Sequence, residues 1–211
     1  MVKSGLYYPV NYLRNVAQSN AKTQYGFMVD VDFWPMPNLY TGLKHHLKLF
    51  YKQHPGNSSA LVMPAFQFNG NGSIPKTKND LKSTWQKDIK IFRWDYSLRR
   101  GALFERWIES QEDIALPYKK HSAECYHVLE KIHAPDYDEF LLVRWMDKVA
   151  HAYTLHAKGF LFWNYAQGFI IHLPHAAVKG KAVKDSNSCA HEYFYKSFIP
   201  YLQKNYNWDK L

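Results

Sequence analysis

Apolar and polar positions along this chain switch between a helical and a strand period, and the switches mark its elements. Val10, Leu13 and Val16-Ala17 recur at helical spacing behind Pro9. This predicts a helix over Pro9–Ala17 with an apolar stripe and proline in its first turn. Tyr25-Gly26-Phe27-Met28-Val29 is an apolar run of strand length that drives into Asp30-Val31-Asp32. The proline-punctuated Phe33-Trp34-Pro35-Met36-Pro37 behind it predicts that the strand stops there and turns. A helix is predicted over Leu39–Tyr51, with Leu43, His46, Leu47 and Phe50 on one face. Gly56–Ser59 reads as a turn and Ala60–Phe66 as a second buried strand. Asn69–Ser73 is glycine-rich without a phosphate-cradling pattern, and Asn79–Lys87 reads as a short helix. Residues 93–133 are aromatic-rich and follow neither period. A helix over Arg144–Leu155, strands at Phe160–Tyr165 and Phe169–Leu173, and a last helix over His191–Tyr206 complete the pattern. Strands alternating with helices predict an α/β fold. With no internal repeat or long linker, residues 1–211 read as a single domain.

Composition narrows the classes. A chain of 211 residues, 46% hydrophobic and 17% aromatic, can bury a sizeable core. No segment has the roughly 18 consecutive apolar residues that span a bilayer, and Met1–Leu6 lacks a signal-peptide pattern. Cys125 and Cys189 could pair in an oxidising compartment, but two thiols do not fix the compartment. Asn57-Ser58-Ser59 and Asn71-Gly72-Ser73 match the glycosylation acceptor pattern and add a little weight to a secretory location. The net charge of +9 raises nucleic acid as a partner. The basic residues are scattered in short groups such as Arg99-Arg100, Lys119-Lys120 and Lys179-x-Lys181, with no recognised binding motif, so none is expected. An anionic donor, an acidic glycan or a plain basic surface accounts for the charge equally well.

Three residues carry candidate chemistry. Asp30 and Asp32, two apart on a strand, would send both carboxylates to one face. Two hard oxygen donors at the carboxyl end of a buried strand suit a divalent metal that also holds a phosphate. The alternative is a solvated strand end with two turn-forming aspartates. His172 ends a later apolar strand, and His175 follows in His172-Leu173-Pro174-His175. An imidazole at a strand tip could complete the carboxylate site if the strand ends converge in a parallel sheet. A hydrogen-bonded surface histidine is the ordinary alternative.

Tyr8-Pro9-Val10-Asn11-Tyr12-Leu13-Arg14-Asn15-Val16-Ala17, followed by Asp30-Val31-Asp32-Phe33-x-Pro35, resembles the dystroglycan-modifying glycosyltransferases of family 49. These comprise the LARGE-type glucuronyltransferase domain and a related glucuronyltransferase. The resemblance continues through Ala60–Phe66, Pro135-Asp136-Tyr137-Asp138-Glu139, Lys148-Val149-Ala150-His151 and Ile171-His172-Leu173-Pro174-His175-Ala176. It implies a GT-A-type fold, a Rossmann-like mixed sheet flanked by helices. It further implies a Mn²⁺ ion, a UDP-sugar donor and inverting transfer of glucuronic acid to a hydroxyl of a glycan or glycoprotein acceptor. By position Asp30, Asp32 and His172 match the metal-binding residues. Asn11, Arg14 and Asn15 are expected to face the nucleotide together with Asp30, or else to cap the helix. Lys179 or Lys181 is expected over the diphosphate, and Asp138 or Glu139 as the base, unless Asp136 and Asp138 only solvate a turn. The location implied is the Golgi lumen, with membrane attachment through an anchor this chain does not show.

Three departures qualify the resemblance. Gln67 follows Pro64-Ala65-Phe66 where the family has glutamate, so an ionisable group becomes an amide. Val143-Arg144-Trp145 replaces a glycine-bearing stretch, which would reshape the acceptor side. Fewer than thirty residues precede Asp30, where the family fold is expected to place its uridine-binding units. The domain therefore reads as amino-terminally incomplete. Two classes of function follow: a metal-dependent glycosyltransferase, or a non-catalytic relative that binds glycan or a partner protein.

Overall fold

The computed structural model describes residues 8–54, 59–70, 72–92, 103–116, 125–142, 146–176 and 188–206. The chain opens with α1 (Val10–Asn20), β1 (Tyr25–Phe27), β2 (Phe33–Pro35) and α2 (Leu39–Gln53). It continues through β3 (Ser59–Met63), β4 (Ala65–Phe68), α3 (Lys78–Thr84), β5 (Ile89–Ile91), α4 (Leu103–Glu109), β6 (Ile114–Leu116) and β7 (Tyr126–Glu130). Then come α5 (Asp147–Ala157), β8 (Leu161–Asn164) and β9 (Ile170–His172). A helical run over residues 188–206 closes it, with a π-helical turn at Phe194–Phe198 and a last leg Ile199–Tyr206 (α6).

Pro64 divides what the sequence presents as one strand. Proline has no N–H to give a ladder and restricts the residue before it. The chain accordingly leaves one sheet at Met63 and enters another at Ala65. The first sheet runs β1-β7-β3-β8-β6 and the second β2-β9-β4-β5. Each holds a single parallel pair, β3 with β8 and β4 with β9, and is otherwise antiparallel. Two mixed sheets flanked by helices make an α/β architecture consistent with the GT-A-like expectation.

Leu39, Leu43, Leu47 and Phe50 form the buried stripe of α2 and pack on Phe33, Leu61, Met63 and Tyr126. Leu81, Trp107, Phe66 and Phe169 fill a second core beneath the second sheet. Against α5, which is buried along most of its length, pack Phe194, Phe198 and Leu202 from the carboxyl-terminal run. The unassigned stretch before His133 supplies α4, β6 and β7.

The opening elements depart from the sequence pattern. On α1, Asn11 and Arg14 face inward, while Leu13 and Val16 of the expected apolar stripe are each 41% exposed. Hydrogen bonds from the polar face to the segment 134–142 and to Asp147 hold the helix down, so its apolar side is left outward. The first strand ends at Phe27 rather than reaching Asp32. Phe33, Trp34 and Pro35, expected to turn, instead form a strand. Proline is compatible with it because β2 lies at the edge of its sheet. Neither Cys125, which is buried, nor Cys189, which is exposed, is in a disulfide.

Candidate metal and donor site

Asp30, Val31 and Asp32 occupy the turn between β1 and β2, closed by the Phe33 N–H donating to Asp30 O at 3.1 Å. Val31 is fully exposed at its tip. The alternation argument for two carboxylates on one strand face therefore does not apply, and the two side chains serve different partners.

Asp32 stands immediately before β2, which pairs antiparallel with β9 so that Phe33 lies opposite His172. The Leu173 N–H donates to Asp32 O at 2.9 Å and fixes the register. An antiparallel pair, not a parallel convergence of strand ends, thus brings Asp32 to His172. His172 Nε2 lies 3.4 Å and His175 Nε2 3.2 Å from Asp32 Oδ2. One donor atom from each of the three lies within 4.8 Å of the others. Asp32 Oδ1 and His172 Nδ1 are buried without a hydrogen-bond partner among the described residues. Burial pushes the His172 imidazole below its ordinary value against the pull of Asp32, which favours the neutral form that ligates metals. A carboxylate with a spare buried oxygen, beside two imidazoles, fits a divalent ion of the Mn²⁺ or Zn²⁺ kind.

Asp30 lies in a different network. Its Oδ2 contacts the Lys148 ammonium and accepts from the Tyr126 hydroxyl at 3.1 Å, and Oδ1 is 3.6 Å from Arg14 Nη2. Burial alone would push the Asp30 carboxyl up, but Lys148, Arg14 and the Tyr126 hydroxyl together hold it below its ordinary value. Arg14 also pairs with Asp147, and its Nη1 donates to Asn11 Oδ1 at 3.0 Å. Asp147 and Lys148 open α5, so one helix start supplies both charges that lock Asp30 and Arg14 in place.

Asn11 and Asn15, the other expected donor residues among those described, are engaged within the protein. Asn11 Nδ2 donates to Asp138 O at 2.7 Å. Asn15 exchanges hydrogen bonds with the Tyr137 backbone, through Nδ2 at 2.9 Å and Oδ1 at 2.8 Å, and donates to Glu139 Oε1 at 2.9 Å. These amides dock α1 rather than cap it. Lys179, Lys181 and Val143-Arg144-Trp145 lie outside the described residues. Of the two expected bases, Asp138 is half-buried and accepts from the Phe140 N–H through Oδ1 and from the Tyr193 hydroxyl through Oδ2. Glu139 is exposed.

Lys148 and Tyr126 were not singled out from the sequence as partners of Asp30. Lys148 does fall within a stretch that carries the family resemblance, but nothing in its spacing ties it to a residue 118 positions earlier. Gln67 sits opposite His172 in the β4–β9 register, and its Nε2 donates to Phe68 O at 3.0 Å. A cavity of about 700 Å³ opens between β1, β2 and α2. Phe27, Phe33, Met36, Leu43 and Leu47 give it mostly apolar walls, a poor seat for a diphosphate.

Residues 1–207 match the family described as "Glycosyl-transferase for dystroglycan", and the chain belongs to that family. Among curated relatives it is 34% identical over 183 residues to the zebrafish (Danio rerio) "Xylosyl- and glucuronyltransferase LARGE1". It is 31% identical over 186 residues to the chicken (Gallus gallus) "Xylosyl- and glucuronyltransferase LARGE2s", and 31% over 181 to the human (Homo sapiens) LARGE1. Each match covers 82% of this chain but only 23–24% of the relative. The chain thus spans about a quarter of the length of these proteins.

Proposed function

We propose that this chain is a metal-dependent inverting glycosyltransferase domain. It would transfer a sugar, glucuronic acid being one of the two that the relatives' names give, from a UDP-sugar to a hydroxyl of a glycan or glycoprotein. The observation that carries the reading is the approach of Asp32 to His172 where β2 pairs with β9, with Asp32 Oδ1 buried and without a partner among the described residues. Bound there, Mn²⁺ would supply Lewis-acid stabilisation of the charge that grows on the leaving diphosphate. Asp32 and His172 hold that position from two paired strands, so little reorganisation is needed when the donor arrives. Glu139 is the better placed of the two candidate bases. It is exposed, whereas both oxygens of Asp138 are already engaged, so Glu139 can take the acceptor's hydroxyl proton. Lys179 and Lys181 remain candidates for the diphosphate. A Golgi-lumenal setting follows from the same reading. Among the described residues, no helix is long and apolar enough to cross a membrane.

Calorimetric titration of UDP, with Mn²⁺ and with chelator, tests the proposal. Binding is expected only with metal and is expected to vanish in Asp32→Ala. UDP binding that ignores both metal and this substitution would overturn it.

One observation favours a second reading, a glycan-binding relative without transfer activity. Gln67, directly opposite His172, brings an amide where the family carries an acid. Glycan binding that persists in chelator, with no UDP binding under either condition, would establish that reading instead.

A further inference from the structure

We propose that the cavity between β1, β2 and α2 binds a single-chain amphipathic anion of the fatty-acid class. Its alkyl chain would lie between the strands and the helix, and its anionic head on Lys44 and Lys48. Neither a metal nor sugar transfer is needed there.

Core residues shape the cavity. Phe33, Leu43, Leu47 and Val128 are each more than nine-tenths buried, yet each borders the open volume of about 700 Å³. Walls held by the core are preformed, and the volume falls among those of pockets that take one small organic ligand. Gly26 lies on the same wall, and nothing lies within 4 Å of where its Cβ would stand. An alkyl chain is stabilised by such a lining in proportion to the apolar area it buries. A sugar or nucleotide is not, because most of its polar groups would lose water without gaining a partner.

The charge at the rim sets the sign of the head. Among the described residues, Lys44 and Lys48 are the only charged members of the lining, and both are exposed. With Lys52 they recur at every fourth position of α2, a helix without aspartate or glutamate. Like charges at that spacing oppose the helix. Lys52 lies in the last turn, where the macrodipole favours a cation. Lys44 and Lys48 lack that compensation, and among the described residues neither has a carboxylate within 4 Å. Their long stems let the ammonium groups reach over the cavity mouth while staying in water. A bilayer face would meet these lysines without filling the volume behind them. An uncharged polypeptide segment would fill the volume without using the lysines. A monomeric amphiphile uses both.

Calorimetric titration of dodecanoate into the full protein, below the micelle concentration, tests the site. The wild type is expected to bind dodecanoate and to ignore acetate, which has the head without the chain. Lys44→Gln/Lys48→Gln changes only exposed positions, and circular dichroism checks its fold. It is expected to weaken dodecanoate binding at least about threefold, the scale of two exposed charge pairs. Lys52→Gln is expected to cost less. No binding of dodecanoate, a smaller loss in the double variant, or an equal loss in Lys52→Gln would overturn the proposal. Equally tight binding of dodecyl maltoside, whose head is uncharged, would overturn it and leave the cavity to an uncharged occupant such as a polypeptide segment. Sedimentation with phosphatidylserine vesicles, without dodecanoate binding, would assign the lysines to a membrane surface instead. UDP with Mn²⁺ is expected to leave dodecanoate affinity unchanged, whereas displacement by UDP would put the donor in the cavity and overturn the proposal.

Discussion

A Cβ on Gly168 would lie 2.5 Å from Leu39 Cδ1 and 2.5 Å from Tyr165 Cε1. Both neighbours belong to the main core; Tyr165 is 1% exposed, and Leu39 borders the cavity beside α2. Gly168→Ala should therefore destabilise the fold by about 1–3 kcal/mol, the usual cost of overpacking. Gly26 offers the control, since nothing lies within 4 Å of its added Cβ. Gly26→Ala should shift the urea midpoint little, and equal losses from the two substitutions would refute the packing argument. The Arg14–Asp147 pair makes a different kind of prediction. With side chains 10% and 3% exposed, it is a buried ion pair. Asp147→Ala leaves Arg14, among the described residues, with the neutral Asn11 Oδ1 at 3.0 Å and the more distant carboxylate of Asp30 at 3.6 Å. The expected cost is about 3–5 kcal/mol, with part of it recovered in Arg14→Met/Asp147→Leu, where no charge is stranded. Urea titrations of the three proteins decide this, and a loss below about 1 kcal/mol in Asp147→Ala would mean that the pair is effectively solvated.

At the scale of elements, α3 and α4 are tied by caps. Thr77 accepts from the Asp80 N–H at 3.1 Å while Asp80 Oδ2 accepts from the Thr77 N–H at 2.9 Å, a reciprocal capping box. Lys78, the first residue of α3, sends its ammonium to the carbonyls of Trp107, Ser110 and Ala166, across the Trp107 ring. It thereby closes the carboxyl end of α4, where cations are favoured. Thr77→Ala should cost about 1 kcal/mol. Lys78→Met should cost more, about 1–3 kcal/mol, because carbonyls lose their donor. Amide exchange in α4 should accelerate in Lys78→Met but not in Thr77→Ala; the reverse would show that the two helices are not coupled through this lysine. How legible such elements are in sequence depends on which face is buried. Leu39, Leu43, Leu47 and Phe50 announce α2 because their stripe is the face that packs. On α1 the packed face is Asn11 and Arg14, so periodicity pointed to the wrong side. β7, Tyr126–Glu130, is buried almost throughout and shows no alternation. At the site, His172 ends a strand that the pattern marks, whereas Asp32 adjoins β2, which the pattern presents as a turn. The partners of Asp30 were not readable, since Arg14, Tyr126 and Lys148 come from three distant elements and meet only in the fold.

Across the whole molecule, buried histidines and Asp30 make stability fall as the solution becomes acidic. Burial, with a smaller push from His151, holds the His127 imidazole down at about 3, against an ordinary 6.5. Burial likewise holds His151 at about 4, although its hydrogen bond to the Pro135 carbonyl pulls upward. The two rings sit 6.1 Å apart between β7 and α5, and His151 stacks on Tyr137 at 3.9 Å. Unfolded, both histidines protonate near their ordinary value; folded, they stay neutral until the pH is far lower. From about pH 6.5 down to about 4 the unfolded chain therefore binds more protons, and stability falls as the pH falls. Each histidine contributes at most about 1.4 kcal/mol per pH unit in that window. Asp30 adds a loss of the same sign at lower pH. Its folded carboxyl is held below the ordinary 3.8, so its contribution is complete above that value and disappears as the pH falls through the folded one. Urea midpoints should thus be level between about pH 7 and 8 and drop steeply between about 6.5 and 4.5. His127→Gln, uncharged at every pH, should lose stability at neutral pH yet show a shallower acid slope than the parent. A parent curve that stays flat to about pH 5 would mean that these imidazoles reach water in the folded state, and the buried seam between β7 and α5 would have to be opened accordingly.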